Sequence, residues 1–237
     1  MQHPDAVLIG PHGVAENRRF YLVDERGRLY SGSRHGPLVQ VAPSYEPEHE
    51  WLSLRFPDET EVEGNVETGE EIAVGFWGER VVRGELVRGP WSEALSAYAG
   101  KPLRLVRAQG PPAFDVHPVT LVSDGSLAAL AANGGRDSVD GRRFRMLIDV
   151  AGCEPHEEDT WIGRRVRVGE AVLRIPGPVP RCVVTTQDPD TGVRDFDTLR
   201  TIKAYRGARD GKKLDFGVYG DVEQPGRVRV GDTVDPL

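Results

Sequence analysis

The sequence predicts a mainly β protein, with a small N-terminal β-sheet or barrel domain followed by a second β-barrel that carries a few short helices. Three observations predict it. Short runs rich in β-branched and aromatic residues recur along the chain, several alternate polar and apolar side chains as half-buried antiparallel strands do, and 28 Gly and 18 Pro punctuate them with turns. A chain of 237 residues with 38% hydrophobic residues is long enough for one large or two small domains with a real core. Gly110-Pro111-Pro112 is the best candidate boundary, giving domains of residues 1–110 and 111–237.

Taken in order, Ala6-Val7-Leu8-Ile9 and Arg19-Phe20-Tyr21-Leu22-Val23 read as strands, and Asp24-Glu25-Arg26-Gly27-Arg28 as the hairpin turn before Leu29-Tyr30-Ser31. Ser33-Arg34-His35-Gly36-Pro37 breaks the pattern; Arg34 and His35 there are solvated loop residues unless the loop faces a pocket. Repeated β runs follow at Leu38–Val41, Trp51–Phe56, Glu61–Val66, Glu71–Val74 and Arg80–Val87. The acidic residues between Asp58 and Glu71 lack metal-ligand spacing and read as a solvated face. Gly89 to Gly100 has apolar residues at helical spacing and a glycine where a C-terminal cap belongs. Leu103–Val106 returns to strand.

In the second half, the Val119–Val122 strand leads into Ser123-Asp124-Gly125-Ser126 and a short helix over Leu127–Ala131. Either serine suits the helix cap, and a helix N-terminus with hydroxyls is also an anion site. Gly141 to Val150 puts three arginines at the head of a strand, with Arg143, Arg145 and Leu147 on one face. Two β runs, Arg165–Val168 and Ala171–Ile175, precede the most informative stretch, Pro178 to Gly192. Its prolines, β-branched run and Asp-Pro-Asp-Thr-Gly turn predict a strand ending in a turn. On that strand Cys182 shares a face with Val184 and Thr186, and Arg181 takes the other with Val183 and Thr185. Thr198–Arg206 reads as an amphipathic helix, and Phe216–Tyr219 and Gly226–Asp232 close the chain as β segments.

A net charge of −7 gives no general attraction to nucleic acid or to an anionic membrane, yet leaves room for a local basic pocket. The first ten residues lack a basic and apolar leader pattern, and nowhere do 18 apolar residues run together, so the expectation is a cytoplasmic protein. The two cysteines, Cys153 and Cys182, are expected to be reduced. No Cys-x-x-Cys or His-Glu-x-x-His pattern encodes a zinc site or a cysteine-ligated cluster. A buried Cys182 is simply a small hydrophobe; a Cys182 beside the Arg181 cation is a thiolate able to attack, or to bind a soft metal.

Six stretches, Ser123–Leu127, Phe144-Arg145, Glu158–Gly163, Pro180–Thr186 with Asp188–Gly192, Leu199–Arg206 and Pro225–Asp232, occur in an order that resembles the MOSC family, in particular the group of the mitochondrial amidoxime reducing component. Residues 5–56 also resemble the β-rich domain that precedes MOSC in that group, with Gly13–Arg19 and Ser33-Arg34 at matching places. The resemblance implies a MOSC-type barrel and a molybdenum cofactor, a pterin dithiolene, with Cys182 as the metal ligand. It implies that Arg181 lines the cofactor, that Arg34, Ser123, Ser126 and Arg145 hold its phosphate and pterin, and that a small N-oxygenated substrate is reduced with electrons from a separate donor protein. Pyridoxal phosphate binding also travels with the family. Family members carry a Lys-Ser pair on a strand upstream of the point where this sequence starts, and Arg145-Met146-Leu147 stands where they have Arg-Pro-Asn. Those departures favour the alternative expectation, a MOSC scaffold without the cofactor that uses Cys182 as a nucleophile or persulfide carrier, activated by Arg181, His117 or His156.

Overall fold

The alternating runs do become antiparallel ladders in a computed structural model that describes residues 4–76 and 80–237. The chain falls into two compact units that interleave in sequence. One holds residues 4–14, 117–189 and 193–237, and the other residues 15–76, 80–116 and 190–192. The Ala6–Gly10 strand joins the first of these because it pairs antiparallel with Gly226–Arg229, an arrangement that a boundary at Gly110-Pro111-Pro112 does not anticipate.

In the unit that carries Cys182, the organising element is the long strand Asp215–Gln224. One edge takes Val119–Ser123; the other takes Pro178–Pro180 beside its first half and Ala171–Arg174 beside its second. The sheet extends to Ile148–Val150 on one side, and to Arg165–Val168 and Val234–Pro236 on the other. Val119, Leu121, Val166, Leu173, Ile175 and Val218, each fully buried, fill one side of the core. A second cluster of Leu130, Phe144, Phe196, Ile202 and Phe216 seats the helices Asp124–Asn133 and Thr198–Arg206. Each such burial contributes roughly 1.5–3 kcal/mol.

The other unit is a five-stranded sheet in the order Leu29–Tyr30, Phe20–Asp24, Leu103–Ala108, Val81–Arg88 and Glu67–Gly75, with a three-stranded sheet, Ala42–Glu46, Trp51–Arg55 and Glu61–Asn65. The helix Trp91–Ala99 ends at Gly100 in the left-handed conformation, as its sequence predicts, and buries Trp91 and Leu95 against Leu52, Leu54 and Leu105. Among the described residues no helix is long and apolar enough to cross a membrane.

Three segments depart from the expected strands. Gly36–Gln40 is a 3₁₀ turn in place of the strand over Leu38–Val41, since Pro37 pre-sets a helical φ at its first turn; the strand comes next, at Ala42–Glu46, polar and largely exposed. Gly141–Phe144 is also a 3₁₀ turn, capped by the Asp140 carboxylate and closed by Arg145 at φ 51°, so Arg143, Arg145 and Leu147 do not line one strand face. Finally, the strand at Pro178 stops at Pro180, and Val183–Thr186 winds into a 3₁₀ turn. The threonines drive that change. Thr185 and Thr186 hydroxyls donate back to the carbonyls of Cys182 and Val183 at 3.0 and 2.7 Å, offering the backbone an alternative to the ladder. The two-face alternation expected for residues 181–186 is therefore not present.

Candidate functional site

Cys182 is exposed, at the head of the Val183–Thr186 turn. Its approach is held by the last ladder contact, from the Arg181 amide to the Leu214 carbonyl at 2.7 Å. The Arg181 side chain is half-buried. Its guanidinium lies 5.0 Å from the centre of the Phe144 ring, reaches Met146 Sδ at 3.3 Å and donates to the Phe144 carbonyl. Behind the turn, Thr185 Oγ1 lies 2.7 Å from Thr198 Oγ1, a buried pair that joins it to the first residue of the Thr198–Arg206 helix. Arg145, half-buried, follows directly on the turn that receives Arg181. The reading of Cys182 as a sealed core residue is thus excluded, and a soft donor faces outward with an arginine next to it in sequence.

Of the two serines that suit the helix cap, Ser123 takes that place. Ser123 caps the Asp124–Asn133 helix by accepting the Ser126 amide at 3.1 Å. Both hydroxyls then donate to one buried carboxylate: Ser123 to Glu158 Oε2 and Ser126 to Oε1, each at 2.6 Å. All three residues are fully buried. A hydroxyl has one proton to give, so neither serine retains a donor for a phosphate, and the neighbouring carboxylate would repel one. In this structure both serine protons are directed at Glu158 and not at an open phosphate site. Glu158 is the residue that sequence reasoning missed. It opens the Glu158–Gly163 stretch that carries the family resemblance, but that resemblance assigns it no role, and nothing in its spacing reveals two partners more than thirty residues away.

His156 continues this network. It takes a left-handed backbone, φ 61°, and donates its amide to Ser126 Oγ at 3.0 Å. Its Nδ1 meets the Arg206 guanidinium and its Nε2 lies 3.2 Å from the Tyr205 hydroxyl. Arginine only donates, so Nδ1 accepts and the ring is neutral with its proton on Nε2. Burial, and then the Arg206 charge, hold the imidazole below its ordinary value, while burial pushes the Tyr205 phenol up to about 12. His117 pairs with Asp221 at 2.6 Å, and that carboxylate also binds Arg174 at 2.7 Å. Both histidines therefore have partners of their own within the fold, and neither of those partners is Cys182. Cys153, the other thiol, is half-buried and pushed up to about 11 by that burial and by the acidic groups around it.

Arg34 belongs to the other unit. It is exposed, 3.5 Å from the Asp24 carboxylate and 5.9 Å from the centre of the Tyr30 ring. Asp24 also accepts the Arg28 side chain and the Arg26 and Arg28 amides, which hold its carboxyl down at about 2. Asp24, Arg28, Tyr30 and Arg34, with Glu25 and Lys101, line a cavity of about 510 Å³ in that unit.

Comparison with known proteins bears on this geometry. The MOSC domain profile matches residues 110–235, just over half of the chain. Mitochondrial amidoxime-reducing component 1 of Danio rerio is 30% identical over 248 residues, covering 94% of this chain and 75% of that protein. Mitochondrial amidoxime reducing component 2 of Rattus norvegicus is 39% identical over 127 residues, covering 51% of this chain and 37% of the relative, and the Homo sapiens protein of the same name matches to the same extent. The stretch shared with the rat and human proteins thus spans little more than a third of their length. Among solved structures, the YUAD protein from Bacillus subtilis superposes with a TM-score of 0.37 at 16% identity, over 72% of this chain and 86% of that one, a slight likeness. With a matching profile over most of the Cys182 unit and a relative aligned along nearly the whole chain, this protein belongs to the MOSC family.

Proposed function

We propose that this chain is an oxidoreductase that binds a molybdenum cofactor through Cys182 and reduces small N-oxygenated compounds with electrons from a separate donor protein. The observation that carries the reading is the exposed Cys182 thiol in a chain whose relatives are named amidoxime reducing components. A thiolate is the soft donor that a thiol-rich molybdenum centre takes, and the bound cofactor would supply the redox chemistry.

The residues fit that group in part. Cys182 is exposed, Arg145 is half-buried, and Arg181 turns its guanidinium to the Phe144 carbonyl and ring. Ser123 and Ser126 do not fit, because Glu158 takes both protons. Arg34 would have to share itself with Asp24 to serve a phosphate. The chain's own part would be to present the Cys182 sulfur at the head of the Val183–Thr186 turn.

Protein made in a cofactor-competent host decides the matter by metal and pterin analysis of wild type beside Cys182→Ser. The expected result is molybdenum and pterin in the wild type and loss of molybdenum in the variant. A wild-type preparation free of both removes the proposal. The sulfur-carrier alternative gains nothing from the structure, since its two candidate activating histidines are engaged by Asp221 and by Arg206 with Tyr205.

A further inference from the structure

The short turn Gly141–Phe144 holds the Cys182 segment on both sides. On the N-terminal side, the Phe144 carbonyl accepts the Arg181 guanidinium, which also lies over the Phe144 ring. On the C-terminal side, Arg143 Nη1 donates to the Gln187 carbonyl at 2.8 Å and to Asp195 Oδ1 at 2.6 Å, while its Nη2 reaches Asp195 Oδ2 at 2.6 Å. Arg143 is 6% exposed while Asp195 lies at the surface, so this is a part-buried, two-pronged pair. Asp195 is tied in turn to the end of the Cys182 turn, its amide donating to the Thr186 carbonyl at 3.2 Å. Cys182 is the exposed residue between these attachments.

A four-residue 3₁₀ turn has poor hydrogen-bond geometry and little stability of its own. Its shape comes from what grips it. The Thr185–Thr198 pair grips the middle, and the Arg143 fork fixes the point where the chain leaves. Without the fork, the Gln187 carbonyl and the Asp195 carboxylate lose a common partner, and the C-terminal end of the turn keeps only backbone bonds such as those of the Asp195 and Phe196 amides to the Thr186 carbonyl.

We infer that Arg143 is a positioning residue for Cys182, acting through Gln187 and Asp195 to fix the direction in which the thiol points. The inference rests on the reading of Cys182 as the reactive sulfur, but its test needs no metal. The full chain is treated with iodoacetamide, the alkylation rates of Cys182 and Cys153 are followed separately by mass spectrometry, and backbone hydrogen exchange is read across residues 183–188. Cys153 is the internal reference. Wild type is compared with Arg143→Gln and with Arg143→Lys, which keeps a charge for Asp195 but lacks the fork.

In Arg143→Gln, exchange across 183–188 rises roughly tenfold to a hundredfold, as expected for a lost charged hydrogen bond, and the Cys182 rate moves toward that of a model thiol while Cys153 keeps its rate. Arg143→Lys falls between. The inference is overturned if Arg143→Gln folds and both Cys182 readouts stay within about twofold of wild type, or if the two cysteines shift together, which marks general loosening. If Arg143→Gln does not fold, Arg143→Lys carries the same readouts; failure of both to fold assigns Arg143 a structural role and also overturns it. Absence of molybdenum would refute the proposed function and leave these rates interpretable.

Discussion

Removing the Glu158 carboxylate tests the buried network most directly. In Glu158→Ala, two hydroxyls that now donate at 2.6 Å, and the Ser123 amide at 3.3 Å, lose their acceptor in a site with no solvent access. Each buried orphan costs roughly 1–3 kcal/mol, and the vacated volume adds a cavity penalty. The hydroxyls recover part of this by pairing with each other, since they already lie 2.9 Å apart, so the expected loss is about 3–5 kcal/mol. Glu158→Gln preserves the volume and one carbonyl oxygen but gives up the charge, for a loss of about 1–2 kcal/mol. The assay is urea unfolding followed by hydrogen exchange at the amides of residues 121–126, which reads this unit separately in a chain of two units that need not unfold together. A loss below about 1 kcal/mol in Glu158→Ala, or equal losses in the two variants, refutes the assignment of Glu158 as the shared acceptor.

Three further outcomes follow from the same contacts. Ser126→Ala should lower stability by about 1–2 kcal/mol while leaving molybdenum per folded molecule unchanged; unchanged stability with lost loading would restore the serine to the cofactor. His156 is held below its ordinary value, so the folded state favours the neutral ring, and its contribution is present above about pH 6.5 and is lost as the pH falls through the lower folded value. Urea midpoints at pH 7.5 and 5.5 should therefore differ more in wild type than in His156→Asn, which tolerates the left-handed backbone, and equal differences would show that His156 does not titrate in this way. Gly192 has φ 73°, and an added Cβ would come within 2.1 Å of the Gly36 backbone in the same unit. Gly192→Ala should cost roughly 2 kcal/mol or more in a thermal melt, whereas Gly177→Ala, with nothing within 4 Å, should be close to neutral; similar melts for the two would refute the close approach.

The sequence alone determined the mainly β class, most strand positions, the three helices with a cap for two of them, and the family. These rest on short-range physics: alternation, propensity, and a glycine or serine placed where a helix must stop or start, as at Gly100 and Ser123. It also singled out Cys182, because a Pro-Arg-Cys run is readable without knowing what surrounds it. Tertiary structure decided how those residues are used. Whether Val183–Thr186 continues a strand or winds into a turn depends on threonine hydroxyls competing with a ladder whose partner lies thirty residues on. Whether Ser123 and Ser126 offer protons to a ligand depends on a carboxylate brought in by a different loop, and whether Arg143 lines a strand or staples a turn depends on Asp195. A side chain's chemistry is local, but the partner that consumes its donors or fixes its direction is chosen by packing, and packing acts between residues that the sequence keeps far apart.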